Sequence, residues 1–84
     1  MPRYFFHIAD GQSFRNEDGT ELQDLSTAET EASRVMATHL RDHPREPWDD
    51  GELVLSVADA SGLTLLTLTL ISQHSAASPL RSSV

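Results

Sequence analysis

The chain contains no cysteine, so it has no disulfide, no thiolate metal site and no cysteine nucleophile. It has no lysine either: all six bases are arginine, against thirteen acids, for a formal charge of −7. A surface of that sign repels phosphate backbones, and nucleic acid is not expected as a partner. No apolar run approaches the ~18 residues that span a bilayer. The run Tyr4 to Ile8 is too short for a secretory h-region and is broken by His7, Asp10 and Gly11, so a cytoplasmic setting without membrane contact is expected. There is no Gly-x-Ser-x-Gly elbow, no glycine-rich phosphate loop and no serine–histidine–aspartate set. An enzyme is therefore not expected, and neither catalytic residues nor a cofactor are assigned.

What is present is one small domain's worth of regular pattern. Eighty-four residues bury only about 60–65% of their unfolded surface, so the core has little to spare. Tyr4-Phe5-Phe6-His7-Ile8 is aromatic and β-branched, as strands prefer, with Tyr4, Phe6 and Ile8 on one face and Phe5 and His7 on the other. Asp10-Gly11 and Asp18-Gly19 are turn signals, and residues 12–22 read as an irregular partner to the first strand. Ser26 and Glu29 have the spacing of a capping box, with Glu29 and Glu31 at the positive end of the helix dipole. Ala28, Ala32, Val35, Met36 and Leu40 form one apolar stripe, which predicts a helix over 27–42. Glu31 and Arg34 are spaced for a surface ion pair, and Pro44 forces His43 out of the helix. Residues 43–52 read as an acidic, proline-containing loop. Two strands follow, 53–58 and 63–71, joined by a hairpin at Asp59-Ala60-Ser61-Gly62.

The order strand, strand, helix, strand, strand predicts an α+β two-layer sandwich: about four mostly antiparallel strands with one helix on one face. The domain is expected to occupy 1–71. The serine- and alanine-rich stretch 72–84 is expected to be disordered, with His74 lacking a partner. The helix-covered face should take Tyr4, Phe6, Ile8, Leu53, Leu55, Val57, Leu66, Leu68 and Leu70. A right-handed crossover leaves the strand orders 2-1-3-4 and 2-1-4-3 open.

The run Pro2-Arg3-Tyr4-Phe5-Phe6-His7, with Asp10-Gly11, Asp18-Gly19-Thr20-Glu21-Leu22 and Asp24-Leu25, resembles the short bacterial, mostly alphaproteobacterial, proteins of the domain of unknown function 6894 family. The resemblance covers residues 1–71. It implies an alanine-rich helix followed by a terminal hairpin and a cytoplasmic setting; it implies no activity, cofactor or catalytic residue. Gln23 stands where members often have proline, and the stretch after Ile71 has no counterpart.

Each chemical constellation has a plainer reading beside it. His7 and Asp10 are three apart on a strand and point to opposite faces. Asp10, Glu17, Asp18, Glu21 and Asp24 supply oxygen ligands, but their spacing fits no EF-hand loop, and a solvated acidic rim is expected. His39, Asp42 and His43 lie at the helix C-terminus, and the two histidines have a zinc-compatible i, i+4 spacing, but His43 falls outside the helix, and no metal is assigned. Trp48 either packs over the helix end or serves as an exposed anchor.

One helix covers one sheet face. The other would carry Phe5, His7, Val54, Ala58, Leu65 and Ile71 among Ser56, Thr67 and Thr69, more apolar than a solvated face. The expected function is a non-catalytic protein-interaction or regulatory module. Its candidate surface is Phe5, His7, Trp48, Val54, Leu65 and Ile71, and it is covered by a second copy of the chain or by an unidentified protein. The alternative is a HicB-type antitoxin-like domain that binds a toxic RNase, by analogy of element order and of the Asp24-Leu25 pair just before the helix.

Overall fold

The computed structural model describes residues 1–9, 14–15 and 19–76. Its elements are β1 (Arg3–Ala9), β2 (Phe14–Arg15), β3 (Thr20–Glu21), α1 (Leu25–Asp42), α2 (Glu46–Asp50), β4 (Glu52–Ala58) and β5 (Thr64–Ile71). One antiparallel sheet runs β2-β1-β4-β5, with β3 also on β1, and the helix layer lies on one side. The fold is the expected α+β sandwich. Of the two open strand orders, the one with β4 beside β1 is adopted.

Burial accounts for that choice. β4 carries Leu53, Leu55 and Val57, all 0% exposed, so it takes the centre of the sheet. β5 carries Leu66 and Leu68, which are only partly buried, and Leu70, which is exposed, so it tolerates the edge. Tyr4, Phe6 and Ile8 of β1 complete the sheet's share of the core. Ala28, Ala32 and Met36 of α1 close it, and the two alanines, reduced to a Cβ, let the helix approach the sheet closely. The predicted face assignment therefore holds on β1 and β4 and weakens along β5.

The helix starts two residues earlier than expected, and its cap is Asp24, not Ser26. Asp24 is extended (φ −160°) and its Oδ1 accepts from the Thr27 backbone N–H at 2.9 Å and from the Thr27 hydroxyl at 2.8 Å. A carboxylate at this position is a stronger acceptor than a serine hydroxyl and also faces the positive end of the dipole. Ser26 and Glu29 thus lie inside the helix and form no capping box, and no acid lies in its first turn. The far end is as expected: His43 leaves helical geometry (φ −134°) and its N–H donates to the His39 carbonyl at 2.8 Å. The Glu31–Arg34 pair is present at 3.6 Å on the surface.

The segment read as a loop contains α2. Pro47 suits a first helical turn, which has no use for its missing N–H, and Gly51 at φ +86° ends the helix in the left-handed region. Arg45 and Asp49 pair along it at 3.1 Å. Pro47 is buried, which fastens α2 to the core.

At the hairpin, Asp59 Oδ1 accepts from the Ser61 N–H, the Ser61 hydroxyl and the Leu63 N–H. The Ser61 hydroxyl and then the Leu63 N–H hold the Asp59 carboxyl below its ordinary value. Gly62, at φ +89°, closes the turn.

After β5 the chain continues along α2. Ser72 N–H donates to the Gly51 carbonyl, its hydroxyl donates to the Pro47 carbonyl, and His74 stacks on Trp48 with ring centroids 5.6 Å apart. His74 therefore has a partner, contrary to expectation: the turn at Gly51 brings α2 alongside the end of β5. Residues 77–84, the turn at Asp10-Gly11, and the acids Asp10, Glu17 and Asp18 lie outside the described residues.

Candidate functional site

Strand alternation and register fix the layout of the sheet face that α1 does not cover. Phe5 pairs with Ala58, His7 with Ser56, Val54 with Thr69, Ser56 with Thr67 and Glu52 with Ile71. Four rows result. Phe5 and Ala58 form an apolar row at one end, with Leu65 beside it at a register shift where Ala58 pairs with Thr64. His7, Ser56 and Thr67 form a polar row; Val54 and Thr69 form the next, and Glu52 and Ile71 the last. Arg3 lies beyond the first row, paired with Glu21 at 2.7 Å, and Glu52 lies in the last, at the opposite end. In a chain with thirteen acids, the middle of this face carries no acid.

Leu65 is 37% and Ile71 62% exposed, while Phe5, His7 and Val54 are half-buried by their neighbours. Gly19 lies beneath the Phe5 end at φ +73°, where a Cβ would come within 2.6 Å of Arg3 Cγ and 2.9 Å of Phe5 Cε2. His7 Nδ1 is shielded from solvent and has no hydrogen-bond partner among the described residues. A polar atom left in that state costs about 1–3 kcal/mol.

Five of the six candidate surface residues thus share one face. Trp48 does not. It sits on the helix layer, 49% exposed, where with Leu40, Pro44, Leu70, Ile71 and Ser72 it lines a groove of about 420 Å³. Among these candidates, Ile71, at the end of β5, belongs to both regions.

A second cluster forms where α1 ends. His39 Nε2 lies 2.7 Å from Glu46 Oε2, and His43 Nδ1 lies 3.5 Å from Glu46 Oε1. The two imidazoles are 4.6 Å apart, centroid to centroid. One ligand atom from each of the three residues lies within 4.8 Å of the others, the one such group among the described residues. Glu46 was missed in the sequence. The His-x3-His spacing was visible, but the turn at Pro44 and the first turn of α2 bring the carboxylate back.

A family profile, Domain of unknown function (DUF6894), matches residues 3–72. The chain belongs to that family. The DUF6894 match ends at Ser72, so it takes in every strand, both helices, the uncovered face and the helix-end cluster. No curated protein and no solved structure matches the chain. Among the described residues, no helix is long and apolar enough to cross a membrane.

Proposed function

We propose that this protein is a non-catalytic interaction module that acts as a symmetric pair, two copies meeting through the sheet face that α1 leaves uncovered. The observation that carries this reading is the layout of these rows about the polar one. A two-fold axis across the strands, along the row His7–Ser56–Thr67, sets that row against itself. It also sets the Phe5–Ala58 row of each copy, with Leu65 beside it, against the Val54–Thr69 row of the other. The Arg3 end of each copy then meets the Glu52 end of its partner, so the charges are complementary twice over. Serine and threonine hydroxyls both donate and accept, so the central row is self-complementary. An isologous contact of this kind is the commonest way for a small chain to pair.

The size of the face sets the expected strength. Four strands at about 4.8 Å spacing and seven residues at about 3.3 Å give a face of roughly 19 by 23 Å. Two such faces bury on the order of 1,000 Å², near the lower limit for a specific interface. The pair is therefore reversible, and a regulatory role would come from its assembly and dissociation in the cytoplasmic setting the family resemblance implies.

Sedimentation equilibrium tests this. The full chain should move from its monomer mass of 9.3 kDa towards twice that between low and high micromolar concentration. Leu65→Glu should hold it at the monomer mass, and Leu63→Glu, in the hairpin loop, should not. A chain that stays at 9.3 kDa throughout overturns the proposal.

A further inference from the structure

We propose that His39, His43 and Glu46 form a binding site for a divalent transition-metal cation, with zinc the best fit. Three features of the fold build it. First, the ligand-bearing residues are chained by backbone hydrogen bonds: His43 N–H donates to the His39 carbonyl at 2.8 Å, and Glu46 N–H donates to the His43 carbonyl at 3.2 Å. The spacing of the three side chains is therefore set by backbone geometry and not by side-chain packing alone. Second, Glu46 already faces both imidazoles, one carboxylate oxygen to each, at 2.7 and 3.5 Å. Third, the site is sheltered but reachable. The His39 side chain is 9% and the Glu46 side chain 20% exposed, while His43 is 41% exposed. His39 and His43 also line an open groove of about 290 Å³ with Ile8, Glu31, Arg34 and Thr38.

The donor set selects the ion. In a tetrahedral zinc site with bonds of about 2.0–2.1 Å, neighbouring ligand atoms lie roughly 3.3 Å apart. The present separations, from 2.7 Å to at most 4.8 Å, bracket that distance, so small rotations of Glu46 and His43 close the site. Two imidazole nitrogens suit zinc, nickel and copper(II) and disfavour calcium and magnesium, which take oxygen. With no cysteine in the chain, iron–sulfur clusters are excluded. Two histidines and one glutamate leave a fourth coordination position for water or for a donor from a partner.

The experiment uses the full chain without a histidine tag, stripped with chelator and titrated with zinc chloride by calorimetry. One ion per chain is expected, with micromolar or tighter affinity that millimolar magnesium leaves unchanged. His39→Ala, His43→Ala and Glu46→Gln should each weaken binding by at least roughly tenfold, while His7→Ala and His74→Ala should not. The wild-type chain supplies a readout independent of variant folding: zinc should shift the ring 15N signals of the His39 and His43 imidazoles and leave those of His7 and His74 in place. Absence of binding, binding that survives all three substitutions, displacement by magnesium, or shifts confined to His7 or His74 would overturn the site. In each of those cases the His39–Glu46 contact would be a strut between α1 and α2 and nothing more.

Discussion

Phe5 and Phe6 are neighbours in sequence and opposites in the fold, so a matched pair of truncations tests the face assignment on which both the core and the proposed interface depend. Phe6 is 2% exposed, packed between β4 and α1 with Ile8, Leu55 and Val57. A buried phenylalanine covers roughly 150–200 Å². Losing most of that at about 25 cal/mol per Å² gives about 3 kcal/mol, and the cavity left behind raises the cost of Phe6→Ala to about 3–5 kcal/mol. A domain of this size has a total stability of roughly 4–12 kcal/mol. The thermal midpoint should therefore fall by at least about 12 °C, and unfolding at room temperature is within range. Phe5 lies on the uncovered face, half-buried, and in the isolated monomer Phe5→Ala should cost about half as much or less. Urea denaturation followed by far-UV circular dichroism at sub-micromolar concentration measures both. The cost of Phe5→Ala should then grow with protein concentration, because only the pair buries that ring fully; the cost of Phe6→Ala should not. If Phe5→Ala were the more damaging of the two in dilute solution, the two faces would be exchanged and the argument for the interface would fail.

Four further outcomes are expected. Asp24→Ala should lower the thermal midpoint and Ser26→Ala should leave it nearly unchanged; the reverse result would restore Ser26 as the cap. The Thr27 N–H, followed by its hydroxyl, holds the Asp24 carboxyl below its ordinary 3.8. A carboxyl lowered by folding contributes stability above its unfolded value and loses it as pH falls through the folded one. The gap between wild type and Asp24→Ala should therefore be full at pH 6 and close in strong acid, read by thermal scans across that range. Gly19→Ala and Gly62→Ala both place a side chain at positive φ, about 1–2 kcal/mol each, but only Gly19 also meets Arg3 and Phe5, so its substitution should cost more by roughly 1–3 kcal/mol in urea melts. His74→Ala should shift the emission of Trp48, because it removes the stacked ring; an unchanged spectrum would show that the two rings do not stay together in solution.

Much of this architecture was readable because it rests on short-range rules. The alternation Tyr4-Phe6-Ile8 and Leu53-Leu55-Val57 fixes which side chains point inward, whatever the neighbours are. The stripe Ala28–Ala32–Met36 fixes the buried side of the helix, and Pro44 fixes where it stops. Asp59 and Gly62 fix the hairpin. The choice of helix cap was less legible, since Asp24 and Ser26 are both competent acceptors and only the entry angle of the chain decides between them. α2 had its signals, a proline in the first turn and a glycine at the end, but a five-residue helix is held mainly by the burial of Pro47, which is a tertiary fact.

The sequence by itself determined the fold class, the two faces of each strand, the acidic surface and the exclusion of thiolate chemistry, because composition and periodicity of 2 or 3.6 residues act through covalent geometry alone. Tertiary structure decided which hairpin strand lies next to β1, how the uncovered face is arranged into rows, that Trp48 belongs to a different surface, that His74 has a partner, and that Glu46 joins His39 and His43. Each of those depends on how two elements lie against each other in space. That placement comes from packing against the whole core, and no local spacing along the chain records it.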